Sequence, residues 1–377
     1  MLTPDYLLHV SEGAEEIAAK LHTQIIQRIA RRIVKREKRG DDYVLTAVDK
    51  WQIQALTEMG ELQDEIIEDI ARATKLQKVE IAQAFEDAGV KSVEYEDRVY
   101  EQAGISPVKI RQTPYMIRLM QRNYNATMGE WANYCRTTAD AAQGWFYDTL
   151  DKAYNGVTSG AFGYVQAFTN AIDDMARHGV TVTYPSGHTD TIETATLRAV
   201  RTGVSQASAQ ITLERIREND VDLVIVSSHM GARPSHQVWQ GKVYSMTGKK
   251  YPDFVSSTGY GTGPGLCGWN CRHSFSPYFE GQGNPFERYA DEENVELYEQ
   301  TQQQRKMERG IRKTKREVAV LEDAARNTQD EALKVSLTER AGEIRKRLRG
   351  QNKAYTAFCD EHDLRPLKER LQIAKRK

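Results

Sequence analysis

Residues 221–245 read Val-Asp-Leu-Val-Ile-Val-Ser-Ser-His229-Met-Gly-Ala-Arg233-Pro-Ser-His236-Gln-Val-Trp239-Gln240-Gly241-Lys-Val-Tyr-Ser245. After a Gly/Ser-rich passage the chain closes with Gly263-Pro-Gly-Leu-Cys267-Gly-Trp-Asn270-Cys271-Arg272-His273-Ser-Phe-Ser-Pro-Tyr278. Leu223 to Val226 is a short, continuously apolar run of β-branched type, the signature of a strand buried in a sheet. Gln240-Gly241-Lys-Val-Tyr reads as a turn into a further strand, the Gly permitting positive φ, and the sequence from Ser227 to Tyr278 holds two of the four Cys, three of the eight His and two of the five Trp. Special geometry or chemistry is therefore expected here, within long reaches of ordinary helix-forming sequence.

Upstream of this stretch, Glu193 to Glu218 has helical spacing (Leu197, Val200, Val204, Ala207, Ile211, Ile216) and stops at Asn219-Asp220. Before it, 180–184 and 188–192 alternate β-branched and polar residues around Pro185-Ser-Gly187, a hairpin signal. Strand, helix, strand and further turns make 179–290 a small α+β module. The N-terminal part, 1–178, reads as helices. One runs from about Asp5 to Arg39 and stops at Gly40-Asp41-Asp42, with a basic end of Arg28, Arg31, Arg32, Lys35, Arg36, Lys38 and Arg39. Others are expected to break at Gly60, Gly89, Gly104 to Pro107 and Thr113-Pro114. Trp131, Tyr134, Trp145, Phe146 and Tyr154 read as core, because no Lys/Arg lattice is interleaved with them as in a base-stacking platform. Residues 291–377 form a polar helical tail: Asp291 to Asp323 and Thr328 to Arg349 joined near Asn327, then one or two shorter helices. Its thin apolar stripe suits an antiparallel coiled hairpin. The fold class is thus mainly α with a small α+β module, in three domains: 1–178, 179–290 and 291–377.

Bulk properties exclude several classes. The net charge is −1, but residues 301–377 carry 21 Lys/Arg against 12 Asp/Glu, and the remainder 31 against 41. An acidic body with a basic tail is suited to nucleic acid or to an acidic protein surface. Four scattered Cys do not make a disulfide scaffold and fit a reducing compartment such as a cytoplasm. A mean hydropathy of −0.64, with no long apolar run, leaves no expectation of a membrane.

The central stretch has two chemical readings. His236, Cys267, Cys271 and His273 form a thiolate and imidazole set of the kind that holds zinc, although the C-x3-C-x-H spacing lacks the usual paired clips. Zinc is the one cofactor these residues admit, and nothing else in the sequence requires one. A zinc deaminase is excluded, since Val238 stands where that chemistry needs Glu and the cysteines are spaced one residue too far. A Cys/His nucleophile pair would need Cys267 or Cys271 beside His236 with a depressed thiol pKa. The glycines at 259, 261, 263 and 265 lack the flanking strand and the Gly-Lys-Ser/Thr of a phosphate loop. In the other reading the cluster is a brace: Arg233 and His236, presented by a proline-fixed turn, hydrogen-bond the carbonyls of the ladderless Gly-rich passage, and Asn270 and Arg272 clamp its return.

The run from Ser228 to Ser245, then Tyr-Pro-x-Phe and the Gly263 to Tyr278 segment, resembles the phage minor capsid protein 2 family, a relative of the Mu-type head-morphogenesis minor head proteins. The resemblance implies a non-enzymatic virion structural protein with no small-molecule substrate. It further implies a place at the head and portal vertex, with portal and major capsid proteins as partners, and a role in head morphogenesis and DNA packaging or delivery. The basic tail would then meet packaged DNA. Rival readings are a virion-carried zinc-dependent hydrolase or nuclease, and a DNA-binding accessory protein.

Overall fold

A computed structural model of the chain describes residues 1–35, 48–106, 114–158, 161–179, 181–184 and 187–373. In chain order the elements are α1 (Pro4–His9), α2 (Glu12–Lys35), α3 (Val48–Gln102), α4 (Pro114–Thr158), α5 (Tyr164–His178), β1 (Val182–Thr183), β2 (Thr189–Asp190), α6 (Ile192–Glu218), β3 (Leu223–Val226), α7 (Pro234–Gln237), β4 (Val243–Ser245), α8 (Phe254–Thr258), β5 (Phe275–Pro277), α9 (Asp291–Asn327) and α10 (Glu331–Glu361). A single 3-10 turn, Lys368–Leu371, follows α10. The mainly α architecture with a small α+β module agrees with the sequence pattern. No helix among the described residues is long and apolar enough to cross a membrane.

Three details correct the sequence reading. The helix expected over 5–39 is two helices: Val10 N–H closes α1 on the Tyr6 carbonyl, and Ser11 accepts from Glu15 at the start of α2. The acidic first turn of α2, Glu12 and Glu15, suits a new helix N-terminus. Secondly, α3 runs unbroken for 55 residues through both Gly60 and Gly89. Gly89 lies where a Cβ would come within 3.0 Å of the Met120 methyl, so it serves close packing and marks no break. Thirdly, α10 continues past Arg349 to Glu361. The basic end at 36–39, the stop at 40–42, Pro107, Thr113, Val180, the turn residues Pro185 and Ser186 and the tail end at 374–377 lie outside the described residues, as does the Tyr154 side chain. Trp131, Tyr134 and Phe146 are buried.

The chain forms two compact units, each assembled from three segments. One comprises Met1–Glu15, Gln77–Ala132 and Thr196–Gln302, the other Glu16–Leu76, Asn133–Ala195 and Gln303–Lys377. All five crossings between segments fall inside helices. Neither sequence-based limit, 178/179 or 290/291, is a limit of these units.

In the first unit the apolar strand β3 is the centre of a three-stranded antiparallel sheet ordered β4-β3-β5. Val224 faces Tyr244 on one side and Pro277 on the other. Val224, Val226, Tyr244 and Phe275 pack with Ile216 of α6 and with Trp239, Phe254, Leu266, Cys267 and Cys271 from the connecting loops. The β1-β2 hairpin, Val182 opposite Asp190, belongs to the second unit.

In the second unit three arginines of the last turns of α2 are held by ion pairs. Arg28 pairs with Glu65 and Asp69, Arg31 with Asp323, and Arg32 with Glu61 and Glu65. Within it, α10 and the 303–327 part of α9 run antiparallel: Arg345 meets Glu322, Arg347 meets Glu317, and Tyr355 donates to Glu308 at 3.1 Å. Ile311, Tyr355, Cys359 and Leu371 fill one end of this hairpin. It also packs on α5, where Thr169 and Ser336 hydroxyls lie 2.9 Å apart and Arg340 binds Asp173 at 2.8 Å.

A buried triad ties three of the second unit's helices together: His22 Nδ1 is 2.9 Å from Glu193, whose other oxygen takes Arg316 at 2.6 Å. Burial pushes His22 below its ordinary value, helped by the Arg316 charge. Burial alone would raise Glu193, but Arg316 and His22 hold it well below the usual carboxylate range. Both groups therefore bind protons more readily unfolded than folded, so acid destabilises the fold. The triad's contribution to stability should fall as pH drops below 6.5 through His22, and fall again below pH 4.5 through Glu193. Thermal unfolding against pH checks this, and His22→Gln should reduce the upper step, leaving the part due to buried His236 and His273. Glu193→Gln, which strands a buried guanidinium, should cost about 3 kcal/mol at pH 7.

Candidate functional site

The strand β3 delivers the chain at Ser227 to an irregular segment that returns at Ser274 into β5. The two ends are locked together, Ser227 N–H to the Ser274 carbonyl at 2.9 Å and Ser274 N–H to the Ser227 hydroxyl at 3.0 Å. Between them the three-residue β4 is laddered to β3, and every other buried main-chain group of the segment needs another partner. Pro234 at the first turn of α7 fixes the path that sends His236 inward. His236 Nε2 then donates to the Pro264 carbonyl at 2.8 Å, and Arg233 donates to the Trp269 carbonyl at 3.4 Å. These are the bonds the brace reading requires.

The Gly-rich passage is tight because main chain crosses main chain. A Cβ at Gly265 would overlap the Gly259 carbonyl, and one at Gly268 would overlap the Gly263 carbonyl. Leu266 N–H reaches the Thr258 carbonyl at 3.1 Å, and Trp269 N–H reaches that of Gly263 at 2.7 Å. Cys267 and Asn270 take positive φ, 59° and 58°, to make these crossings. No phosphate cradle is formed; the glycines allow the loop to pack on itself.

Of the four predicted site residues, three converge. His236, Cys271 and His273 are buried, and their ligand atoms lie within 4.8 Å of one another. Cys271 Sγ is 3.6 Å from His236 Nδ1 and 3.7 Å from His273 Nδ1. Cys267 stands apart from this group, its thiol donating to the His273 carbonyl at 3.6 Å. Burial lowers His236, with the Arg233 charge adding to the effect, and lowers His273 further still, aided by His229 and His236. Burial pushes both thiols up. The pair needed for Cys/His nucleophilic catalysis therefore meets, but as a protonated thiol and neutral imidazoles, with Cys271 only 2% exposed. The two described surface grooves, along 82–124 and along 315–373, are lined by none of these residues.

Several residues that hold the site gave no sequence signal. Gln240 accepts from His229 N–H at 2.6 Å and from His273 Nε2 at 3.2 Å through one oxygen. Buried Asn294, in the first turn of α9, binds both main-chain groups of Ala232 at 2.9 Å. Arg201 of α6 donates to the Leu7 and Leu8 carbonyls and to the Asn270 side chain, at 2.7, 2.9 and 2.9 Å. A lone Gln in a turn, and lone Asn and Arg residues on helices, look like solvated surface, and only long-range geometry shows their role.

Fold and site together define a mainly helical protein built around a self-bonded, loop-rich module. The chain belongs to the phage minor capsid protein 2 family, whose family model matches residues 2–353. The structural protein of Lactococcus phage LL-H is 25% identical to it over 336 residues, covering 83% of this chain and 86% of that protein. No solved structure matches the chain. Membership places it among phage structural proteins.

Two substitutions test the brace. Asn294→Ala leaves both Ala232 main-chain groups without partners and should cost about 2–3 kcal/mol in chemical unfolding. Gly265→Ala forces backbone apart and should make 259–271, which holds Tyr260, Leu266 and Trp269, the first site of chymotryptic cleavage.

Proposed function

We propose that the chain is a non-enzymatic structural component of a tailed-phage head, present in few copies at the portal vertex, acting in head morphogenesis and in DNA packaging or delivery. The observation that carries this reading is the family match over 2–353, which takes in the braced module and most of the helical sequence. In this scheme 1–178 docks on the portal or major capsid protein, 179–290 is a rigid assembly element, and 291–377 meets packaged DNA.

Two surface features support the division of roles. Trp269 is 62% exposed. It is also held in place by its own main-chain bonds to Gly263 and Arg233. A pre-ordered exposed Trp is the residue type that anchors protein interfaces. In the tail, Arg316, Arg340, Arg345 and Arg347 are spent on ion pairs. Lys306, Arg309 and Lys313 on α9, and Lys346, Arg349 and Lys353 on α10, are exposed at i, i+3, i+7 spacing, so each trio lies along one helix face. Such stripes suit a phosphate backbone and would give a salt-sensitive interaction.

Quantitative mass spectrometry of purified particles tests the assignment: the chain should be present at a small fraction of the major shell protein, and its absence would refute it. Trp269→Ala should lower incorporation without altering thermal stability. Replacing Lys306, Arg309 and Lys313 with Ala should weaken DNA retention and reduce the slope of log affinity against log salt by about 0.9 for each phosphate no longer neutralised. An unchanged slope would remove the tail from DNA binding.

A further inference from the structure

The hydrogen bonds around the buried cluster fix which atoms of its two imidazoles face inward. A carbonyl oxygen only accepts, so His236 Nε2, 2.8 Å from the Pro264 carbonyl, carries the ring proton. A main-chain N–H only donates, so the Gln240 atom 2.6 Å from His229 N is the amide oxygen. That same oxygen faces His273 Nε2 at 3.2 Å, so this nitrogen also carries its proton. Both rings are left with an Nδ1 lone pair, and both lone pairs point at Cys271 Sγ, from 3.6 and 3.7 Å. One S–H proton satisfies one of them. The other remains a buried acceptor facing sulfur, in a site where all three residues are at most 2% exposed.

A cation resolves this. With zinc bonds of about 2.0–2.1 Å to nitrogen and 2.3 Å to sulfur, a tetrahedral centre sets N···S edges of roughly 3.5–3.6 Å, close to the two separations found here. Metal-bound imidazoles also donate their outer N–H to a carbonyl or amide oxygen, which is what Pro264 and Gln240 supply. Two nitrogens and a sulfur form a borderline-soft donor set that suits zinc.

We propose that His236 Nδ1, His273 Nδ1 and Cys271 Sγ bind a structural zinc ion, and that Cys267, turning about its χ1, closes the fourth position. Each thiol gives up its proton to solvent as its Zn–S bond forms, and no redox change occurs. Cys267 is the candidate for the fourth ligand because the two thiols approach one oxygen, the His273 carbonyl, from 3.6 and 3.8 Å. The ion would cross-link α7 to the return segment before β5, joining the two ends of the brace.

The test uses the full chain. After dialysis, elemental analysis should find about one zinc per chain. After chelator stripping, added Co²⁺ should produce tetrahedral d–d bands and a sulfur-to-cobalt charge-transfer band. Cys271→Ser should abolish binding, Cys267→Ser should bind more weakly with about half the charge-transfer intensity, and Gln240→Leu should weaken affinity roughly 10–100-fold. Cys135→Ser, buried elsewhere, should behave as wild type. A folded wild-type chain that takes up neither metal stoichiometrically overturns the site, whatever the variants do, so variants that fail to fold do not blunt the test. Unchanged affinity and spectrum in Cys267→Ser overturns the fourth ligand.

Discussion

Everything distinctive in this protein follows from the cost of burying main chain that has no ladder to bond to. Between Ser227 and Ser274 the chain leaves the central strand, adds only the three-residue β4 to the sheet, covers its own core and returns as β5. An unpaired buried N–H or C=O costs on the order of 1–3 kcal/mol, and a segment of this length would accumulate more such losses than a domain of ordinary stability survives. The sequence answers with side chains. His236, Arg233, Gln240, Asn294 and Ser227 each supply a bond that a strand neighbour would otherwise make. Glycines at 265 and 268 let main chain approach main chain closely enough for the remaining bonds.

The arrangement accords with the structural role of the family to which the chain belongs. The polar groups of His236, Gln240, Cys271 and His273 are buried and bonded to one another. The result is a rigid irregular surface from which Trp269 projects, a form suited to assembly. In the second unit the same principle acts through charge: Arg28, Arg31, Arg32 and Arg316 are each held by carboxylates of other helices. The protein therefore positions its long polar helices by specific ionic bonds, consistent with their thin apolar stripes.

Much of this was legible in the residues. The apolar run at 223–226, the helix at 193–218 and the antiparallel tail hairpin all follow from periodicity, and the Arg233 and His236 bonds follow from asking where a Gly-rich segment finds its partners. Gly60 and Gly89 misled because a single glycine costs a helix only about 1 kcal/mol, which the packing of a 55-residue helix outweighs. The two compact units were invisible because composition marks linkers, and here the chain passes between segments inside helices. Cys267 looked equivalent to Cys271 in spacing, but its positive φ turns the thiol to a different place. Gln240 and Asn294 act across 11 to 62 residues of chain, a separation no local pattern reports.

Residues 228–274 should be as firmly folded as the sheet they spring from. Native-state hydrogen exchange measures this directly. The amides of His229, Ala232, Leu266, Trp269 and Ser274, each bonded as described, should exchange as slowly as those of Val224 and Val226 in β3. Exchange of those five amides at the rate of an open loop, with β3 still protected, would contradict the account.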